Sequence, residues 1–173
     1  MIRNWACWLL LSLSAAAQTL VGLDGSRQSL DQLRLAGKPL VLMTWCSHCA
    51  CCRGGEKTLL ALQKEYPQMR MRALDAQWGD DAPQVRSYLD RHRLNLPVLF
   101  DPGGGLCRLL GIRTSTTALV WDERGKMRYF GNLRGLSKAL AQLSQGQPVV
   151  PPSSPQQGCP ILFLEHRERL DRP

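Results

Sequence analysis

Residues 39–45, PLVLMTW, form an unbroken apolar run that leads without a linker into the cysteine-rich stretch TWCSHCACCR at 44–53. A strand with one wet face alternates apolar and polar residues. A run without alternation suits a strand covered on both faces, as in a parallel sheet. The cysteines therefore leave the end of a buried strand. Around it, residues 19–30 read as a strand and a turn at Asp24-Gly25, followed by a short turn-and-helix entry. Residues 69–76 set Met69, Met71 and Ala73 against Arg70 and Arg72, a strand with one wet face. A buried strand is expected at 96–101 and a hairpin at 116–131 around Asp122 and Gly125. Helices are expected over 56–66, from Asp81 and Pro83 onward, over 106–111 and over 133–146. The order ββαβαβαββα gives an α/β class with a mixed central sheet flanked by helices, an N-terminal β extension and an extended C-terminal tail.

Three segments follow. Residues 1–17 read as a signal peptide: Arg3, an apolar run over 5–17, and Ala15 and Ala17 before Gln18. The run is shorter than the roughly 20 residues of a spanning helix, so no stable membrane insertion is expected after cleavage. Residues 18–146 form the folded domain. Residues 147–173 form a proline-rich tail that carries Cys159. Export implies a periplasmic or secreted protein in an oxidising compartment. The net charge of +8 is spread along the chain without a run of like charges. A solvated basic surface, and no nucleic acid, is the reading of that distribution.

The chemistry lies in the cluster. If Cys46 opens a helix at the strand exit, unpaired N–H groups stabilise its thiolate. Cys49 is one turn on and within reach. Cys46 is then the exposed attacker, Cys49 the resolving partner, and a protonated His48 lowers the Cys46 pKa further. This requires a Cys46 sulfur reachable from solvent. Cys52 extends the motif to Cys46-x-x-Cys49-x-x-Cys52, three thiols on one broad helix face. Gly54 and Gly55 weaken that helix by about 1 kcal/mol each relative to Ala. Cys51 reads as core filler, and Cys107, between Leu106 and Arg108, as a core residue. Trp45 is apolar cover, and His92 and His166 are surface histidines.

The stretch KPLVLMTWCSHC resembles the strand–Trp-Cys-x-x-Cys–helix signature of thioredoxin-like proteins, and the later segments LPVLFDPGGGLCRLLGI and TTALVWDERGKMRYFGNL resemble their following strands. The tail QPVVPPSSPQQGCPI resembles the Gly-Cys-x-Ile ending of exported redoxins in the alkyl-hydroperoxide-reductase/thiol-antioxidant superfamily. The resemblance implies a thioredoxin-like fold and an exported thiol–disulfide oxidoreductase. Its partners would be protein thiols and disulfides or a small thiol reductant, with no cofactor. Two features depart from the pattern. Thr116 stands where these proteins carry a cis-proline, and a non-proline peptide is almost always trans. No acidic residue lies on the strand before the cysteines. Glu56 is the nearest candidate, and a solvated helix glutamate is its simpler reading.

Cys159 ends a proline-rich arm that can return it to the cluster as a further redox thiol, with a structural disulfide to Cys107 as the alternative. Two other functions stay open. Cys46, Cys49, Cys52 and Cys159 make four soft ligands for Zn²⁺, Cu⁺ or an iron–sulfur cluster. A thiol peroxidase is the other. Peroxiredoxins carry a proline and a threonine at fixed spacing before the nucleophile. Here Pro39 fits, but Met43 holds the threonine position and Thr44 is displaced by one.

Overall fold

A computed structural model describes residues 18–163. The expected signal peptide with Cys7, and residues 164–173 with His166, lie outside the described residues. The strands are β1 (Thr19–Gly22), β2 (Arg27–Ser29), β3 (Leu40–Trp45), β4 (Arg70–Asp75), β5 (Val98–Phe100), β6 (Ala118–Trp121) and β7 (Met127–Gly131). The helices are α1 (Leu30–Arg34), α2 (Ala50–Glu65), α3 (Ala82–His92), α4 (Gly105–Leu109) and α5 (Leu133–Ser144). They build one mixed sheet in the order β2-β1-β5-β4-β3-β6-β7. The β3–β4 and β4–β5 pairs are parallel and the rest antiparallel. The expected α/β class with its N-terminal β extension holds. The turn at Asp24-Gly25 closes a full hairpin, so β2 and α1 add to the expected order.

All six residues of β3 are buried, because the sheet carries a core on each face. Val41, Met43 and Trp45 point into a layer with α2, α3 and α5, among Leu59, Leu62, Val85 and Leu136. Leu40 and Leu42 point into the opposite layer with Leu20, Leu33, Leu106 and Ile112. Two apolar faces explain a run with no alternation. The wet face expected on β4 is half-covered. Arg70 and Arg72 are half-buried, and the Arg70 guanidinium donates to the carbonyls of Leu33 and Lys38.

Local chemistry sets the helix starts. Ser29 and Gln32 form a reciprocal capping box on α1. The Asp81 carboxylate caps α3 and accepts from Gln84 N–H at 2.8 Å. Asn132 does the same for α5. Helix α2 starts at Ala50, six residues before the expected start, and Cys49 is its N-cap. The site depends on this difference.

The proline-rich arm is docked onto the domain. Phe130 N–H donates to Pro152 O at 3.0 Å and Ser154 N–H to Phe130 O at 3.1 Å, so the chain continues along the outer edge of β7. Further on, Thr114 and Pro160 form an antiparallel bridge, and Ile161 N–H donates to Arg113 O at 3.0 Å. Ile161 and Phe163 then enter the second core. Each such burial contributes about 1.5–3 kcal/mol, enough to hold the arm in place.

Candidate active site

The β3–α2 junction, the loop before β6 and the returning arm bring five cysteines together. Their sulfurs form two trios, Cys46, Cys49 and Cys52, and Cys49, Cys51 and Cys159. Within each, all sulfurs lie within 4.8 Å of one another. Cys49 belongs to both. No disulfide joins the six described cysteines.

The roles expected of Cys46 and Cys49 do not match this geometry. Cys46 is only 7% exposed and lies in the core beside Trp45. It precedes a turn at 47–48, and the helix starts only at Ala50. Cys49 is the N-cap residue of that helix, and its side chain makes no capping bond. Cys49 is half-buried. Burial pushes its thiol up, but the thiols of Cys159 and Cys51 and the hydroxyl of Ser115 outweigh this and bring it down to about 6. Cys52, three residues on, is fully buried. Hydrogen bonding to Cys46 and then burial push its thiol well up, so it stays protonated. The Cys46 backbone N–H points at the Cys52 sulfur from 3.4 Å.

His48 is not a thiol partner. Its Nδ1 lies 2.6 Å from Asp80 Oδ1 and 3.0 Å from Ser47 Oγ, while most of its ring is exposed. The Asp80 carboxylate is buried and also accepts from Ser47 N–H and Ser47 Oγ, both at 2.9 Å. Behind the cluster, Glu56 is buried and accepts from Trp45 Nε1 at 2.7 Å and from the Tyr88 hydroxyl at 2.9 Å. The solvated reading of Glu56 fails because α2 turns this side chain toward the sheet.

Thr116 is buried beside the cluster with a left-handed backbone, φ 61°. Its N–H donates to Thr44 O at 2.6 Å and its hydroxyl to Gln157 O at 2.8 Å. Cys51, read as core filler, is half-buried. Its sulfur lies 2.9 Å from that of Cys49, 3.1 Å from that of Cys159 and 3.1 Å from Ser115 Oγ. The arm returns Cys159 to the cluster, and the disulfide with Cys107 does not form. Cys107 is fully buried, which pushes its thiol up, with the Asp101 carboxylate adding to the effect. The four-ligand set Cys46, Cys49, Cys52 and Cys159 does not gather. Cys159 docks on Cys51, so only Cys49 of the other three lies within 4.8 Å of it.

Sequence reading missed Asp80, Ser115 and Tyr88, which reach the site from other loops and helices. Asp80 sits in the acidic pair Asp80-Asp81 before a proline-started helix, where only Asp81 reads as a cap. Ser115 lies in the TSTT stretch, next to the residue that stands in the proline's place.

A parallel β3–β4–β5 core, a hairpin edge and a cysteine N-cap at the β3–α2 junction define a thioredoxin-like redoxin fold. Residues 13–130 match the AhpC/TSA family, and the chain belongs to it. Thiol-disulfide oxidoreductase ResA of Halalkalibacterium halodurans is 24% identical over 104 residues, covering 60% of this chain and 59% of ResA. The chain thus spans about three fifths of that relative's length. An uncharacterized conserved protein from Geobacillus kaustophilus superposes with a TM-score of 0.74 at 19% identity, over 87% of this chain and 90% of that one. A secreted Mycobacterium tuberculosis disulfide oxidoreductase homologous to E. coli DsbE gives 0.58 at 21% identity, over 71% and 93%.

Proposed function

We propose that this chain is an exported, periplasmic or secreted thiol–disulfide oxidoreductase in which Cys49 attacks and Cys52 resolves. One observation carries the reading: a half-buried thiol at about 6 sits on the N-cap residue of α2, one turn from a buried, protonated thiol. The Cys49 thiolate attacks one sulfur of a substrate disulfide. A mixed disulfide forms and the other substrate thiolate leaves. Cys52 then gives up its proton and attacks the Cys49 sulfur. The Cys49–Cys52 disulfide forms and the second substrate thiol is released. The reverse sequence oxidises a dithiol. The resemblance to the thiol-disulfide oxidoreductase of Halalkalibacterium supports this class of reaction. Protein thiols and disulfides or a small thiol reductant are the partners.

Single serine variants test the assignment. Cys49→Ser is expected to abolish exchange with a model disulfide. Cys52→Ser is expected to trap a mixed disulfide on Cys49, and Cys46→Ser to keep most of the rate. Loss of exchange in Cys46→Ser with retention in Cys49→Ser would overturn it.

A second reading, metal binding, draws on the two sulfur trios. Tetrahedral thiolate sites with Zn–S near 2.3 Å place sulfurs about 3.8 Å apart, within the span of either trio. Three thiolates suit a soft ion such as Cu⁺ or a Zn²⁺ with one further ligand. Metal content of protein purified anaerobically separates the readings. The peroxidase reading has less support. The Thr44 hydroxyl faces the carbonyls of Thr114 and Thr117, at 2.8 and 3.2 Å, rather than a thiol.

A further inference from the structure

A close thiol pair in the cluster lies outside the Cys49–Cys52 motif. Cys51 and Cys159 are 108 residues apart in sequence, yet their sulfurs lie 3.1 Å apart. Cys159 N–H donates to the Cys51 sulfur at 3.3 Å. The Cys159 carbonyl accepts from Ser115 N–H at 2.8 Å and from Ser115 Oγ at 3.2 Å. Gly158 permits this approach, because a Cβ there would lie 1.8 Å from Ser115 O. The arm is thus built to present one thiol to one other. Cys51 in turn lies 2.9 Å from Cys49, and the three sulfurs all lie within 4.8 Å of one another, so a disulfide formed at Cys49 is within reach of this pair.

We propose that Cys51 and Cys159 form a second dithiol that takes over the disulfide made at Cys49–Cys52, so that the protein stores two disulfides. This rests on the reading of Cys49 as the attacking thiol. In the first step Cys51 gives up the proton that Cys52 takes, and the Cys51 thiolate attacks the Cys49 sulfur. The Cys49–Cys52 bond breaks, and Cys52 leaves as a thiolate facing the Cys46 N–H and takes up a proton. In the second step Cys159 gives its proton to solvent, and the Cys159 thiolate attacks the Cys51 sulfur. The Cys49–Cys51 bond breaks and Cys49 leaves as a thiolate. Cys51 and Cys159 lose two electrons, Cys49 and Cys52 gain two, and no outside oxidant or reductant takes part. In the reduced protein, hydrogen bonding to Cys49 and then to Cys51 pushes Cys159 up to about 12. A second substrate disulfide then reoxidises Cys49 and Cys52.

Disulfide mapping tests the transfer. The reduced full chain, free of oxygen, receives one equivalent of hydroxyethyl disulfide, is quenched with acid, alkylated and mapped by fragmentation mass spectrometry. The expected product joins Cys51 to Cys159, with Cys49 and Cys52 alkylated. Excess oxidant is expected to give two disulfides in the parent chain and one in Cys159→Ser. A bond that stays between Cys49 and Cys52, with Cys51 and Cys159 alkylated, overturns the transfer and leaves the exchange reading intact. A bond from Cys159 to Cys49 also overturns it. Failure of every thiol to oxidise overturns the exchange reading and this inference with it.

Discussion

The Nδ1 atom of His48 lies 2.6 Å from Oδ1 of Asp80, so the loop between β3 and α2 is tied to the loop before α3. Asp80 also holds Ser47 through its N–H and its hydroxyl. Asp80→Ala removes the acceptor and leaves the Ser47 N–H without its partner. Ser47 is half-buried, so the loss expected in urea unfolding is about 1 kcal/mol, the low end of the cost of an unpaired donor.

Cys49 gives a pH signature. Burial raises its thiol, but Cys159, Cys51 and Ser115 bring it down to about 6, against about 8.5 for a free thiol. Alkylation of Cys49 is expected to rise with pH around 6 and to level off near neutrality. A depressed folded pKa stabilises the fold fully above the free-thiol range, and that contribution is lost as pH falls through about 6. Ser115→Ala is expected to move the alkylation midpoint upward, read by mass-resolved labelling.

The buried strand, the thiols at its exit and the return of the arm were legible because each leaves a local trace. An unbroken apolar run means two covered faces, and prolines next to a cysteine mark an extended arm that carries a thiol. The register of the motif was not legible. Gly54 and Gly55 disguise the start of α2, since two glycines argue against helix. The structure gives Gly55 another purpose: a Cβ there would lie 3.1 Å from Thr116 Cγ2 and 3.3 Å from Met43 Sδ. A larger residue there would make these side chains give by a few tenths of an ångström. Once it starts at Ala50, the capping thiol is Cys49 rather than Cys46, and every role shifts by three residues. Asp80 and Ser115 act through chain folding alone, which no short motif encodes.

Glu56 supports the floor of the site. Its Oε1 accepts from both Trp45 and Tyr88, whose rings meet edge to face with centroids 5.6 Å apart. Glu56→Ala leaves two buried donors without an acceptor, and a loss of about 2–5 kcal/mol is expected in urea unfolding. Burial and then the Glu56 carboxylate push Tyr88 up to about 12. In Glu56→Gln the tyrosine is expected to ionise at lower pH, read from tyrosinate absorbance.

Asp75, at the end of β4, is 2% exposed, and its Oδ2 has no hydrogen-bond partner. Burial and then the charge of Asp80 push its carboxyl up to about 9. An acid with a raised folded pKa stabilises the fold in its protonated form. Between about 4, where the unfolded carboxyl ionises, and about 9, the native state holds one more proton. Stability from this group therefore falls as pH rises across that window. Asp75→Asn is expected to flatten the dependence of the unfolding free energy on pH there, measured by denaturant titration at a series of pH values. An unchanged slope would show that Asp75 ionises normally in the fold.

Thr116 stands where related redoxins place a proline, but its backbone does not accept one. Proline fixes φ near −65°, and Thr116 sits at 61°. Proline also removes the N–H that donates to Thr44 O at 2.6 Å. That bond ties the loop before β6 to the strand that leads into the cysteines. Thr116→Pro is therefore expected to destabilise the protein by about 3 kcal/mol or more. Glycine tests the other half of the argument. A left-handed backbone costs an L-residue about 1–2 kcal/mol, which Thr116→Gly relieves. The same change removes the Thr116 hydroxyl bond to Gln157 O, worth about 1 kcal/mol, and the two terms nearly cancel. Thr116→Gly is expected to unfold within about 1 kcal/mol of the parent chain. It is also expected to expose Cys159 to faster alkylation, because that hydroxyl helps hold the arm. A proline variant as stable as the parent would mean that the loop can take the conformation of the related redoxins.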